Sequence, residues 1–161
     1  MSGAPQSYRG TQIALHWLVA AGVALLFFTG DATSEAFRAG GGLASFWVGG
    51  HALVGTLILL AMLWRLQLRL SVGVPAPPAA EWAPLRILAN LVHIGLYLDL
   101  IGAALLGLGA YFASPSLGAA HEFVSGLPLV VLFALHFVGA LWHHFVVGDD
   151  VMRRMVRAAK P

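Results

Sequence analysis

The chain has 161 residues, 59% of them apolar and only 10% charged, with a net charge of +2 and no cysteine. Soluble domains run nearer ~45–50% apolar and ~25% charged, so this chain lacks the charges to cover a water-facing surface and reads as a membrane protein. The missing cysteines exclude disulfides, thiolate zinc sites, iron–sulfur clusters, thiol nucleophiles and covalent c-type haem, and no dense basic face points to nucleic acid.

A bilayer core takes ~20 mostly apolar residues per helix, and four stretches qualify. The first, residues 13–30, carries no charge, and the second, 43–66, meets its first at Arg65. The third, 85–110, holds Arg86 near its start and Asp99 inside, and the fourth, 121–147, is charge-free after Glu122. The expected fold is all-α, one four-helix membrane bundle. Residues 31–42 include Gly40-Gly41-Gly42 and are expected to form a flexible loop. Residues 71–84 hold Pro75, Pro77, Pro78 and Pro84 and cannot continue a helix. Residues 111–120, with Ser114-Pro115-Ser116, make a short third connection, and an amphipathic tail follows Gly148.

With four spans, both termini and the second connection share one side. That side holds Arg9, Arg65, Arg69, Arg86, Arg153, Arg154, Arg157 and Lys160, whereas the other has Arg38 alone beside Asp31, Glu35 and Glu122. This asymmetry orients both termini to the cytoplasm. The length of the first span, with no small-residue cleavage site after it, favours a retained helix over a signal peptide.

His16, His51, His93, His121, His136, His143 and His144 all lie within or at the ends of the spans. A single buried imidazole is ordinarily satisfied by a backbone carbonyl. Seven in so short a chain point to a bound group, because ionisable side chains in a bilayer turn towards the bundle interior. Depth sorts them. At ~1.5 Å per residue, His16 and His51 each sit roughly 7–10 Å from the midplane on opposite sides, so they cannot share one atom. His121 and His136 are ~22 Å apart along the fourth span but only ~60° apart in azimuth. The pairs become His51 with His121 on the outer side and His16 with His136 nearer the cytoplasm. The competing set pairs His51 with His136 and His16 with His143, leaving only ~10 Å of rise between two sites, which crowds two porphyrins.

Two imidazoles from facing helices describe bis-histidine iron in a noncovalent b-type haem, whose default task is one-electron transfer. Ala20, Gly22 and Gly55 would let a flat macrocycle approach the backbone, or would mark ordinary close helix packing. A di-iron histidine box needs histidines three to four apart, and a zinc protease needs His-Glu-x-x-His. Neither pattern is met by His136, His143 and His144 or by His121-Glu122.

The stretches Ile13-Ala14-Leu15-His16-Trp17-Leu18, His93-Ile94-Gly95-Leu96-Tyr97, His121-Glu122 and Ala134-Leu135-His136 resemble the bacterial cytochrome b561 family. So does Ala140-Leu141-Trp142-His143-His144-Phe145, followed by Asp149 or Asp150 and Arg153-Arg154-Met155. The likeness runs in order along nearly the whole chain. It implies an inner-membrane four-helix protein with two b haems, the cytoplasmic-side one on His16 and His136 and the outer one on His51 and His121. It further implies electron exchange with a quinone such as ubiquinone, and some members resemble superoxide:ubiquinone oxidoreductases. The related cytochrome b subunits of hydrogenases and formate dehydrogenases supply the alternative of a relay subunit in a larger respiratory complex, joined to an outer-side redox protein. A weaker alternative is a non-redox membrane protein whose histidines bind a divalent metal. Two departures stand out: Ala104 replaces a usual proline, and Asp99 a usually apolar residue. The outer loop, with Arg38 alone, offers little to attract superoxide.

His143 lies ~10 Å nearer the cytoplasm than His136 and ~20° off its azimuth. There it is expected to meet a quinone headgroup and deliver a proton, or else to face interfacial water. His144 points ~80° away and is expected at the interface. His93 and Asp99 are read as structural, His93 bonded to a haem propionate or a backbone carbonyl and Asp99 buried against a neighbouring donor; a proton relay is the other reading. Arg65 and Arg69 share one face at the inner end of the second span, suited to haem propionates or to lipid headgroups.

Overall fold

The computed structural model describes residues 7–77 and 82–158, which leaves Pro78 and Lys160 outside the described residues. The helices are α1 (Gly10–Arg38), α2 (Phe46–Ser71), α3 (Ala83–Phe112), α4 (Leu117–Ser125) and α5 (Leu127–Trp142). A π turn, His143–Val147, extends α5, and a 3-10 turn, Arg153–Met155, lies in the tail. Four stretches are long and apolar enough to cross a membrane: Gly10–Arg38, Phe46–Ser71, Ala83–Phe112 and Leu117–Val147. Among the described residues there is no strand, and the architecture is an all-helical membrane bundle.

Residues 31–38 are not the flexible loop expected of them; they continue α1. No glycine or proline interrupts Asp31 to Arg38, and the Thr29 and Thr33 hydroxyls donate back to the Leu25 and Thr29 carbonyls at 2.8 and 3.0 Å. The helix stops at Gly40, whose φ of +81° suits a residue without a Cβ, while the Gly41 amide donates to the Ala36 carbonyl at 2.9 Å. Residues 117–120, expected in the third connection, instead open α4. Pro84 and Pro128 sit in the first turns of α3 and α5, where a missing amide proton costs nothing. The fourth rod is thereby divided at Gly126.

Helix α1 packs along α2, α2 along α3, and α3 against α4 and α5. Leu15, Val19, Ile58, Ala61 and Met62 form the core between α1 and α2, with Tyr97, Leu100 and Ile101 of α3 packed on it. A Cβ on Gly22 would meet Ile58 Cδ1 at 3.0 Å, and one on Gly55 would meet Leu26 at 3.9 Å. Gly22 thus lets α1 and α2 approach closely, and Gly55 stands at ordinary contact distance from Leu26. Large apolar side chains such as Phe28, Phe46, Leu70 and Phe145 face outward, as a lipid-solvated surface requires.

The end that carries both termini is laced together by polar contacts. Gln12 donates to the Gly73 carbonyl at 3.1 Å, Trp17 Nε1 to Met155 at 2.8 Å, and Arg154 to Ala76 at 2.9 Å. These bonds fasten the tail and the α2–α3 connection to the bundle. Tyr8 lies beneath them, its phenol pushed up by burial and drawn back by Arg69, Arg65 and Arg154. At the outer end the Tyr111 hydroxyl accepts the Leu43 amide at 3.0 Å, and Arg38 faces Glu122 at 3.6 Å.

Candidate functional site

The first turns of α2 and α4 carry His51 and His121. Their ring centroids lie 6.0 Å apart with the planes at 84°. His121 Nδ1 is 2.7 Å from the Ala103 carbonyl of α3. A carbonyl only accepts, so Nδ1 carries the proton and Nε2 keeps its lone pair. Gly107, one turn further along α3, permits this approach, because a Cβ there would stand 3.1 Å from His121 Nδ1. His51 Nδ1 is buried with no hydrogen-bond partner among the described residues.

At the other end His16 of α1 faces His136 of α5, centroids 6.1 Å apart and planes at 60°. His93 of α3 is closer to His136, at 5.1 Å, and its Nδ1 donates to the Ala89 carbonyl of its own helix at 2.6 Å. Trp17 meets the His16 ring edge-on at 5.3 Å. Arg65 and Arg69 turn into this end rather than out to headgroups alone. Arg65 donates to the Gln12 carbonyl at 3.1 Å, one turn before His16, and Arg69 lies 6.0 Å from the Tyr97 ring centre. The charge of Arg65 acts on both His16 and His136.

Asp99 is buried on α3, and its Oδ2 has no hydrogen-bond partner among the described residues, where a neighbouring donor was expected. His143 Nδ1 donates to Asp149 Oδ2 at 2.6 Å, while Asp149 Oδ1 accepts the Val151 amide at 3.0 Å. The π turn and Gly148, at φ +71°, bend the chain so that this carboxylate returns to the ring. His144 packs edge-on against Phe145 at 4.6 Å. Sequence spacing gave no signal for the Ala103 carbonyl, for Gly107 or for Tyr8. Asp149 was visible only as part of a motif, without a role.

Do these residues fit a haem? Iron between two imidazoles puts each metal–nitrogen bond at roughly 2 Å, with about 1 Å more to each ring centre, or about 6 Å in all. The His51–His121 and His16–His136 separations match that span, and the His93–His136 separation falls short of it. Neither α1 with α5 nor α2 with α4 is among the closely packed helix pairs, so the rings face each other across spaces that backbone contact does not close. Among the described residues no three His, Asp or Glu side chains converge to hold a bare ion. Paired imidazoles of this kind suit a metal that brings its own in-plane ligands.

The family model described as prokaryotic cytochrome b561 matches residues 7–158. Cytochrome b562 of Cereibacter sphaeroides is 27% identical over 156 residues, spanning 93% of this chain and 95% of that protein. Cytochrome b561 homolog 2 of Escherichia coli (strain K12) is 27% identical over 129 residues, spanning 66% of this chain and 68% of that one. With four apolar helices and a family match over nearly its whole length, the chain belongs to the prokaryotic cytochrome b561 family, bacterial membrane proteins that carry b-type haem and transfer electrons.

Proposed function

We propose that the protein moves electrons across the bacterial inner membrane, between a quinone such as ubiquinone at the cytoplasmic side and a donor or acceptor at the outer side. Both termini would face the cytoplasm, on the strength of the arginine asymmetry between the two ends. His16 and His136 would hold one b haem and His51 and His121 a second. The observation that carries this reading is the pair of imidazole couples, each about 6 Å across, on separate helix pairs. When bound, each haem would supply a one-electron carrier.

The chain's own residues do the rest. The Ala103 carbonyl fixes the His121 tautomer and leaves Nε2 as the ligating atom. Arg65 and Arg69 pair with haem propionates at the inner end. Quinone reduction consumes protons, and His143 is the group to pass one to the quinone oxygen. Asp149 holds its Nδ1 proton and steadies the cationic ring.

Haem content by pyridine-haem assay is expected to be two per chain. It should fall to one in each of His16→Ala, His136→Ala, His51→Ala and His121→Ala, with the two members of a pair losing the same spectral component. If His51→Ala or His121→Ala kept both haems spectrally unchanged, the assignment would fail. Rapid mixing of the dithionite-reduced protein with ubiquinone is expected to oxidise the haem, on the order of a hundredfold more slowly in His143→Gln. Haem that ubiquinone leaves reduced would reject the quinone as electron acceptor.

A further inference from the structure

At the inner end, beside the last turn of the fourth rod, an open cavity of about 490 Å³ is lined by His144, Met152, Arg153, Val156 and Arg157. Its lining joins basic side chains to apolar ones. The three arginines of this tail are not equivalent. Arg154 is held by Asp150 at 2.7 Å and by the Ala76 carbonyl at 2.9 Å, which fixes the turn against the bundle. Arg153 and Arg157 are exposed and form no ion pair among the described residues. The nearby carboxylate, Asp150, is held by Arg154 and also feels the charge of Arg153, and no acid is among the described residues that line the cavity. Trp17, donating to the Met155 carbonyl from the first turns of α1, keeps this turn at the level where the spans end.

Around the cavity, Phe145, Val146, Val147 and Val156 are exposed. A ligand seated here meets two guanidinium groups together with the apolar side chains of Met152 and Val156, beside the exposed segment that follows His144. Guanidinium groups favour phosphate through paired, charge-assisted hydrogen bonds, and the apolar side chains favour acyl chains. We infer that the cavity between the π turn and the C-terminal turn binds the headgroup of an anionic phospholipid, with Arg153 and Arg157 on its phosphate and Met152 and Val156 beneath its glycerol and first methylenes. This goes beyond the proposed electron-transfer role and is independent of which histidines hold haem.

The test uses the full haem-loaded chain in mild detergent, with bound lipid counted by native mass spectrometry. Phosphatidylglycerol and phosphatidylcholine of identical acyl chains are titrated separately, and inorganic phosphate is added as competitor. Phosphatidylglycerol is expected to bind one per chain and at least about tenfold tighter than phosphatidylcholine. That preference should vanish in the Arg153→Gln, Arg157→Gln double variant and persist in Arg86→Gln, which removes a cation elsewhere at the same end. Haem content and spectrum report that each variant is folded, and the comparison of the two lipids on the unaltered chain decides the matter without any variant. Equal binding of the two lipids, undiminished preference in the double variant, or displacement by inorganic phosphate at concentrations equal to the lipid would each overturn the assignment.

Discussion

His121, proposed to hold haem iron, owes its orientation to atoms that would not themselves be ligands. Its ring is oriented by one carbonyl, that of Ala103, and the space for it exists because residue 107 has no side chain. Gly107→Ala would press a methyl to 3.1 Å from Nδ1 and 3.2 Å from Cε1, so the ring must shift by a few tenths of an ångström and its hydrogen bond must lengthen. Disturbing an outer-shell partner of a metal-bound histidine typically weakens binding by about 10–100-fold. The variant is therefore expected to lose haem selectively from the outer pair during dilution, with the inner pair's spectrum unchanged. Uniform loss from both, or none, would show that Gly107 does not govern the ring. The seven histidines were plain in the sequence, since an imidazole in an apolar run is conspicuous. Their carbonyl and carboxylate partners were not, because Ala103 offers only backbone and Asp149 reaches His143 through a bend no periodicity encodes.

Among the elements, depth was legible and helix ends were not. Along a straight helix depth is proportional to residue number, so the levels of His16, His51, His121 and His136 followed from counting. The outer extension of α1 escaped that reasoning because Asp31, Thr33, Ser34 and Glu35 are polar without being helix breakers. Helix α1 runs 29 residues, about 43 Å at 1.5 Å per residue, against a hydrocarbon core of about 30 Å. Its last turns thus stand beyond the apolar layer and meet Glu122 through Arg38, an exposed contact worth at most about 1 kcal/mol. The tail is held differently, by a clasp with a titratable member. The hydrogen bond from Arg154 keeps the Asp150 carboxyl below the usual carboxylate range. For a depressed acid the stabilisation is present above the unfolded value, near 4, and is lost as pH falls through the folded value. Because the chain has no cysteine, Val156→Cys accepts a single nitroxide label. Its mobility should be low at neutral pH and rise as pH drops below about 4, whereas with Asp150→Asn added it should already be high at pH 7. Mobility independent of pH in the parent would exclude the clasp.

For the whole molecule, the two imidazole pairs sit in unlike electrostatic surroundings. Arg65 acts on His16 and His136 at the inner end, and Arg69 and Arg154 gather there too, around Tyr8. At the outer end the nearest guanidinium is Arg38, exposed and already facing Glu122. Reduction adds negative charge, so a fixed cation favours the reduced state and raises the potential of a carrier beside it. On the proposed haem assignment, the arginines at the end that carries both termini would set a His16–His136 carrier above a His51–His121 one. At roughly 10 Å and an effective dielectric constant near 20, one charge is worth about 1.7 kcal/mol, on the order of 70 mV for one electron. Arg65→Gln should lower the inner haem's potential by an amount of that order and leave the outer one nearly fixed, as read by an optical redox titration with both haems resolved. Arg65 also donates to the Gln12 carbonyl, so a loosened helix end could itself move the potential. Arg65→Lys separates the two causes, because it keeps the charge while giving up the planar guanidinium geometry. A lysine variant within about 20 mV of the parent, beside a glutamine variant shifted several times further, assigns the effect to charge. Equal shifts in both variants would assign it to packing instead.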